Sequence, residues 1–132
     1  MSSEAQEYIN YRLARAKETL EEAELMLANQ HLNAAVNRLY YACFYAVSAL
    51  LLTEGKSSSK HSGVRALFDR GWVKTGRMSQ EMGRLYRRLF AQRQRGDYDD
   101  LTVFSQADVK TWLIEAREFV AEISDFIRGM SA

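Results

Sequence analysis

The sequence predicts an all-α fold: an antiparallel four-helix bundle with one additional short helix, in a single domain over residues 1–132. Three observations predict it. Apolar residues recur at helical spacing through five segments, no run alternates as a strand would, and no proline interrupts the 132 residues. That length suits one hydrophobic core, and 47% apolar with 27% charged residues is an ordinary globular balance.

The first helix is expected from about Ser3 to Leu27, with Ser3 as N-cap and Gln6 three residues on. Its inner stripe is Ile9, Leu13, Ala16, Leu20, Ala23 and Leu27, with Arg15, Glu18, Glu21 and Glu22 outward. After the Asn29-Gln30-His31 turn, a second helix runs from about Leu32 to Glu54 and stops at Gly55. This helix carries two stripes. Val36, Leu39, Tyr40, Cys43, Phe44, Val47, Leu50 and Leu51 form a wide apolar face, while Asn37, Arg38, Tyr41, Tyr45 and Ser48 fall elsewhere. A polar-tipped aromatic stripe on so apolar a helix points to a cleft, a ligand or a second subunit. The width of the apolar face suggests cover on both sides, which a homodimer through helix two or four would supply.

Gly55 to Ser59 reads as a loop. A short third helix covers about Lys60 to Arg70, closed by Gly71, with Val64, Leu67 and Phe68 inward and Trp72 and Val73 anchoring the next loop. The fourth runs from about Ser79 to Gln94, with Met82, Leu85, Tyr86, Leu89 and Phe90 inward and Gly96 ending it. The fifth begins after Ser105, with Asp108 three residues later, and continues through Val109, Leu113, Ala116, Val120, Ile123 and Ile127 to Gly129. Helices one, two and five are the long ones, roughly 35 Å each.

The uncharged run Leu39–Thr53 is too short to span a bilayer, and the N-terminus lacks a basic region followed by an apolar core. A cytoplasmic protein without a membrane segment is the expectation. The single Cys43 excludes an internal disulfide framework, and with two widely spaced histidines it cannot build the usual zinc site, so neither a metal nor a cofactor is expected.

A net charge of +1 hides a strong division. From Gly55 to Gly96 there are eleven basic residues against Asp69 and Glu81, a local excess of +9, and the rest of the chain carries −8. Such a segment either attracts phosphate or is a solvated face that pairs with the acidic helices. Its arginines outnumber lysines by eight to three, which favours oxyanion or interface work because the guanidinium binds bidentately.

Three clusters are candidates for chemistry. Asn37 and Arg38 with Tyr41 and Tyr45 lie on helix two. Lys60-His61-Ser62-Gly63-Val64-Arg65 opens helix three, where backbone donors, a lysine and a histidine suit an anion. Arg93-Gln94-Arg95-Gly96-Asp97-Tyr98-Asp99-Asp100 closes helix four; a glycine-broken turn there would present Asp97 and Tyr98 beside cations. Core-edge packing, a solvated turn and helix capping are the respective bland readings.

Taken together, Asn37-Arg38-x-Tyr40-Tyr41-Ala42-x-Phe44, then Lys60-His61-Ser62-Gly63-Val64, then Arg93-x-x-x-Asp97-Tyr98 resemble the HEPN (higher eukaryotes and prokaryotes nucleotide-binding) superfamily, in its small stand-alone prokaryotic branch. The resemblance covers nearly the whole chain. It implies an all-α bundle that dimerises, encoded beside a minimal nucleotidyltransferase in a toxin–antitoxin pair. It also implies action on RNA or nucleotides, as a metal-independent endoribonuclease whose Arg-x(4–6)-His motifs meet across the dimer. A related branch has a tyrosine after that motif which the nucleotidyltransferase adenylylates, and Tyr98 is the matching candidate. The chain departs from the motif, since no histidine follows Arg93 within six residues; the nearest echo is Lys56-x4-His61.

Metal-free RNA cleavage needs the 2′-hydroxyl deprotonated, the phosphorane charge stabilised and the leaving oxygen protonated. Arg93 suits the charge, and histidine is the natural acid–base near neutrality. The candidate catalytic residues are therefore Arg93, Asp97, Tyr98 and His61. The candidate nucleotide- or RNA-binding residues are Asn37, Arg38, Tyr41, Lys60, His61 and Arg65. Three classes stay open: a ribonuclease toxin, a non-catalytic nucleotide-binding or partner-regulating module, and a structural adaptor.

Overall fold

In the computed structural model, which describes residues 2–130, the chain folds into α1 (Ser3–Ala28), α2 (Leu32–Leu52), α3 (His61–Phe68), a π-helical turn (Asp69–Val73), α4 (Gln80–Tyr98) and α5 (Gln106–Met130). No strand occurs among the described residues. The all-α expectation holds, and the element ends carry the corrections.

Ser2, not Ser3, caps α1: its Oγ accepts the Ala5 N–H at 3.1 Å. The expected inner stripe of α1 is buried throughout, joined by Thr19, whose hydroxyl donates to Arg15 O at 2.6 Å. A tight turn reverses the chain into α2. Gln30 adopts φ +61°, and His31 N–H reaches back to Met26 O at 2.8 Å, which satisfies a carbonyl the helix end would otherwise leave open. At the other end of α2, Gly55 takes φ +66° and Lys56 N–H bonds Leu51 O at 3.0 Å, as a glycine after a helix permits.

Helix α2 is the centre of the fold. It packs on α1, α4 and α5 and receives α3, while α1 and α5 also touch. Fully buried alanines on both α1 (Ala16) and α2 (Ala35, Ala42, Ala46, Ala49) let these two helices lie close along their length. By length and composition α2 could cross a membrane, yet here its apolar faces are covered by its own chain. A second subunit is therefore not required to explain the width of its apolar face.

The chain does not leave the helical path at Gly71. It widens into the π turn, where Lys74 N–H bonds Asp69 O at 2.8 Å, and Trp72 and Val73 are buried within it rather than anchoring a loop. Phe68, Tyr86 and Phe119 then form an aromatic plug joining α3, α4 and α5, with ring centroids 5.6–5.9 Å apart.

Gly96 does not end α4 either. The helix passes through it to Tyr98, and the glycine is there for space: a Cβ would stand 2.9 Å from Cε2 of the buried Phe104 ring. Asp97 and Tyr98 thus lie in the last helical turn, not on a broken one. Asp99 terminates the helix, its carboxylate accepting Leu101 N–H at 3.0 Å. Helix α5 starts as expected, with Ser105 Oγ accepting Asp108 N–H at 3.0 Å.

Candidate functional site

Helical periodicity brings α4 to the site. Met82, Tyr86 and Leu89 are inward, and the next position of that stripe is Arg93, buried to 7% exposure. One turn on, Asp97 stands beneath it, and Arg93 Nη1 lies 3.6 Å from Asp97 Oδ2. A buried guanidinium is costly unless partnered. Here its charge also rests on the faces of Tyr40 and Tyr41, at 4.7 and 5.6 Å from the ring centroids.

From α2, Asn37 bridges two charged groups. Its Nδ2 donates to Asp97 Oδ2 at 3.1 Å, and its Oδ1 accepts from Arg38 Nη2 and Nε at 2.7 and 3.0 Å. Arg38 Nη1 extends the chain to Glu22 Oε1 of α1 at 3.3 Å, and its guanidinium lies 5.2 Å from the Tyr41 centroid. A shallow depression of about 340 Å3 exposes Asn37, Arg38 and Asp97 together.

The third contributor is His61, first residue of α3. Its ring stacks on Phe44 at 4.6 Å and on Tyr40 at 5.6 Å, with Tyr41 edge-on at 5.6 Å. Its Nδ1 lies 2.9 Å from Tyr40 Oη and 3.3 Å from Arg93 Nη2. A guanidinium can only donate, so Nδ1 must accept, and the proton of the neutral ring is on Nε2. Tyr40 consequently donates its hydroxyl to the same nitrogen. Burial pushes the Tyr40 phenol up to about 12, with the Arg93 charge opposing, so it stays a donor.

Burial lowers the His61 pKa below its ordinary 6.5, and the Arg93 charge lowers it further. The imidazole is therefore neutral near pH 7. The unfolded chain takes up the proton first as pH falls. The stability contributed by neutral His61 is thus fully present above about 6.5 and is lost as pH drops through that value towards the folded one. The expected result is a melting temperature that falls more steeply between pH 7 and 5 in the wild type than in His61→Gln. Equal slopes would show that the ring is not held in this environment.

The sequence-derived candidates divide accordingly. Arg93, Asp97, Asn37, Arg38, Tyr41 and His61 come together. Tyr98 does not join them: its ring is 78% exposed. Lys60 is exposed at the α3 N-cap, and Arg65 lies one turn beyond His61 with its guanidinium 4.6 Å from the Phe90 centroid. Tyr45 belongs elsewhere, under Arg12 and Arg15 of α1 at 5.7 and 5.2 Å. The sequence places Tyr40 in the apolar stripe and in the first family block but gives it no role in the site, although it supplies the hydroxyl that holds His61. Nothing in its spacing marks it, because a fully buried tyrosine has the same helical register as a phenylalanine.

The charge division also gains a structural reading. Within the basic segment, Arg77 and Lys56 pair with Glu54, Arg87 with Asp69 and Arg93 with Asp97. Among the described residues the other seven cations make no ion pair. Among the described residues, too, no three His, Cys, Asp or Glu side chains gather as a metal would require.

Comparison with known proteins places these residues in context. The family profile described as "HEPN domain" matches residues 9–126. A "UPF0332 protein" of Thermotoga maritima is 47% identical over 97% of both chains. Two proteins of Methanocaldococcus jannaschii are each 29% identical. "Putative toxin MJ0605" aligns over 97% of this chain and 95% of its own, and "Putative toxin MJ0142" over 87% and 78%.

Proposed function

The chain belongs to the HEPN domain family, and from that premise we propose that it is a toxin-type protein acting on RNA, with Arg93 and His61 binding and cleaving a phosphodiester without metal. The observation that carries this is the 3.3 Å approach of Arg93 Nη2 to His61 Nδ1. The histidine missing after Arg93 in the sequence is supplied by α3 of the same chain, so the pair does not need a second copy to form.

The resting arrangement suits a sequence of events. An incoming phosphate draws the Arg93 fork away from Nδ1. The imidazole is then free to exchange tautomers, with Nδ1–H donating to Tyr40 Oη and the Nε2 lone pair facing the substrate. In that state His61 accepts the 2′-hydroxyl proton, the oxygen attacks phosphorus, and Arg93 stabilises the charge on the phosphorane. His61, now protonated, returns the proton to the departing 5′-oxygen. The unpaired cations Lys60, Arg84, Arg88 and Arg95 supply the long-range attraction for the RNA backbone. Purified protein incubated with RNA in EDTA tests this; RNA left as intact as with an Arg93→Ala control would sink it.

A binding-only reading draws on a different feature. In the resting tautomer the His61 lone pair is occupied and Nε2 presents a donor, which holds a phosphate without activating a hydroxyl. Tight RNA binding without cleavage would select it.

The proposal includes a nucleotidyltransferase partner. Tyr98 is next to Asp97 and open to solvent, so a nucleotide added there would place bulk and negative charge beside the site. After coexpression with a minimal nucleotidyltransferase, which would transfer AMP from ATP to the Tyr98 hydroxyl with release of pyrophosphate, mass spectrometry is expected to find one AMP unit on Tyr98. An unmodified Tyr98 peptide would remove this part.

A further inference from the structure

A cavity of about 310 Å3 lies between α1, α2 and the loop before α3. Its walls include Tyr8 and Arg12 of α1, Phe44 and Ser48 of α2, and Ser57 and Ser58 of the loop. Phe44 belongs to two places at once, because the ring that lines this cavity also stacks on His61 at 4.6 Å with 21° between planes. The cavity is thus no more than one aromatic ring removed from the imidazole.

Its chemistry is selective. Two aromatic rings suit a planar occupant, while three serine hydroxyls, the Tyr8 hydroxyl and a guanidinium suit one rich in hydrogen-bonding edges. No carboxylate lines it, so an anionic ligand is not repelled. Arg12 supplies the positive charge of the wall. It makes no ion pair among the described residues, and its guanidinium lies 5.4 Å from the Tyr8 centroid and 5.7 Å from that of Tyr45, which holds it in place at the cavity.

The loop wall is also set deliberately. Ser58 Oγ accepts Lys60 N–H at 3.2 Å and sits where a Cβ on residue 63 would overlap it, so only Gly63 lets the loop rest there. The segment Lys60-His61-Ser62-Gly63 therefore delivers the imidazole to one site and closes the other.

We propose that this cavity is a nucleobase pocket, receiving the base of the nucleotide next to the phosphate held by Arg93 and His61. The proposal rests on the RNA-acting reading and extends it by giving the site a base-recognising half. A volume at the small end of ligand pockets fits a base with part of its sugar. Stacking on Phe44 and Tyr8 would be tolerant of sequence, with the Arg12 and serine groups adding preference among bases.

The test measures fluorescence anisotropy of a labelled single-stranded oligoribonucleotide against an abasic oligomer of the same backbone. Wild-type protein is expected to bind the base-bearing oligomer about tenfold more tightly, within the range of base–aromatic stacking. That ratio should collapse to about one in Tyr8→Ala, at an exposed position, and in Ser48→Trp, which fills the cavity. A wild-type ratio of one, or a ratio retained in both variants, overturns the pocket. Arg93→Ala should weaken both oligomers; if it weakens neither, the RNA-acting reading fails instead. Unlabelled AMP should compete at least tenfold more weakly than the oligomer. Equal competition would assign the pocket to a free nucleotide and overturn its place along an RNA chain.

Discussion

His61→Ala is expected to lower the rate of EDTA-resistant RNA cleavage by about 10²–10⁴, the range over which a positioned acid–base group contributes. The size of the effect follows from the absence of a substitute. The only other histidine, His31, is exposed at the N-cap of α2 in the α1–α2 turn. Tyr40, pushed up to about 12, holds its proton too tightly to act as a base near neutrality. The carboxylate of Asp97 is engaged by Asn37 and Arg93. Because the ring also stacks on Phe44, the variant's melting curve belongs beside the rate: a folded variant with an unchanged rate would exclude His61 from the chemistry. His61→Asn, which keeps a planar polar group but cannot shuttle a proton near pH 7, is expected to lose as much.

Arg93→Ala is expected to cost about 10²–10³ in cleavage rate, the loss seen when one preorganised donor to a developing anion is removed. It has a second consequence, on the titration of His61. The Arg93 charge is one of two causes holding the His61 pKa down, the larger being burial, and removing the side chain relaxes both. NMR titration of the His61 ring in Arg93→Ala should therefore show its pKa moving up from the wild-type value. A ring that titrates unchanged would separate the two residues electrostatically and with them the site. Arg93→Lys should rescue little of the activity. An ammonium keeps the charge but loses the planar fork that reaches Asp97 with one nitrogen and His61 with the other.

How much of this was legible before the fold was known depends on the distance over which each feature is determined. The inner stripe of α1, the Ser105 cap of α5 and the stop at Gly55 are local, and each was read correctly. Gly96 was misread as a helix end because a glycine at a stop and a glycine under a neighbouring ring look alike in one dimension. Only Phe104, eight residues later and folded back, tells them apart. That error mattered, since the Arg93–Asp97 ion pair exists because the helix continues through residue 96 and sets the partners four positions, one turn, apart. A better signal was present: Arg93 falls on the buried register of Met82, Tyr86 and Leu89, and an arginine at a core position is a functional candidate for that reason alone.

By itself the sequence determined the helical periods, the polar stripe along α2, the concentration of positive charge between residues 55 and 96, and the three blocks that mark the family. It could not determine which members of those blocks meet. Arg93 and His61 are 32 residues apart, on helices joined through a π turn and a loop that break the helical register between them. Tertiary packing decided that the imidazole would enter from α3, that Tyr40 would orient it, and that Tyr98 would be left in solvent. Periodicity fixes the face on which a side chain leaves its own helix; the partner it finds depends on how separate helices cross, which is set by the whole core at once.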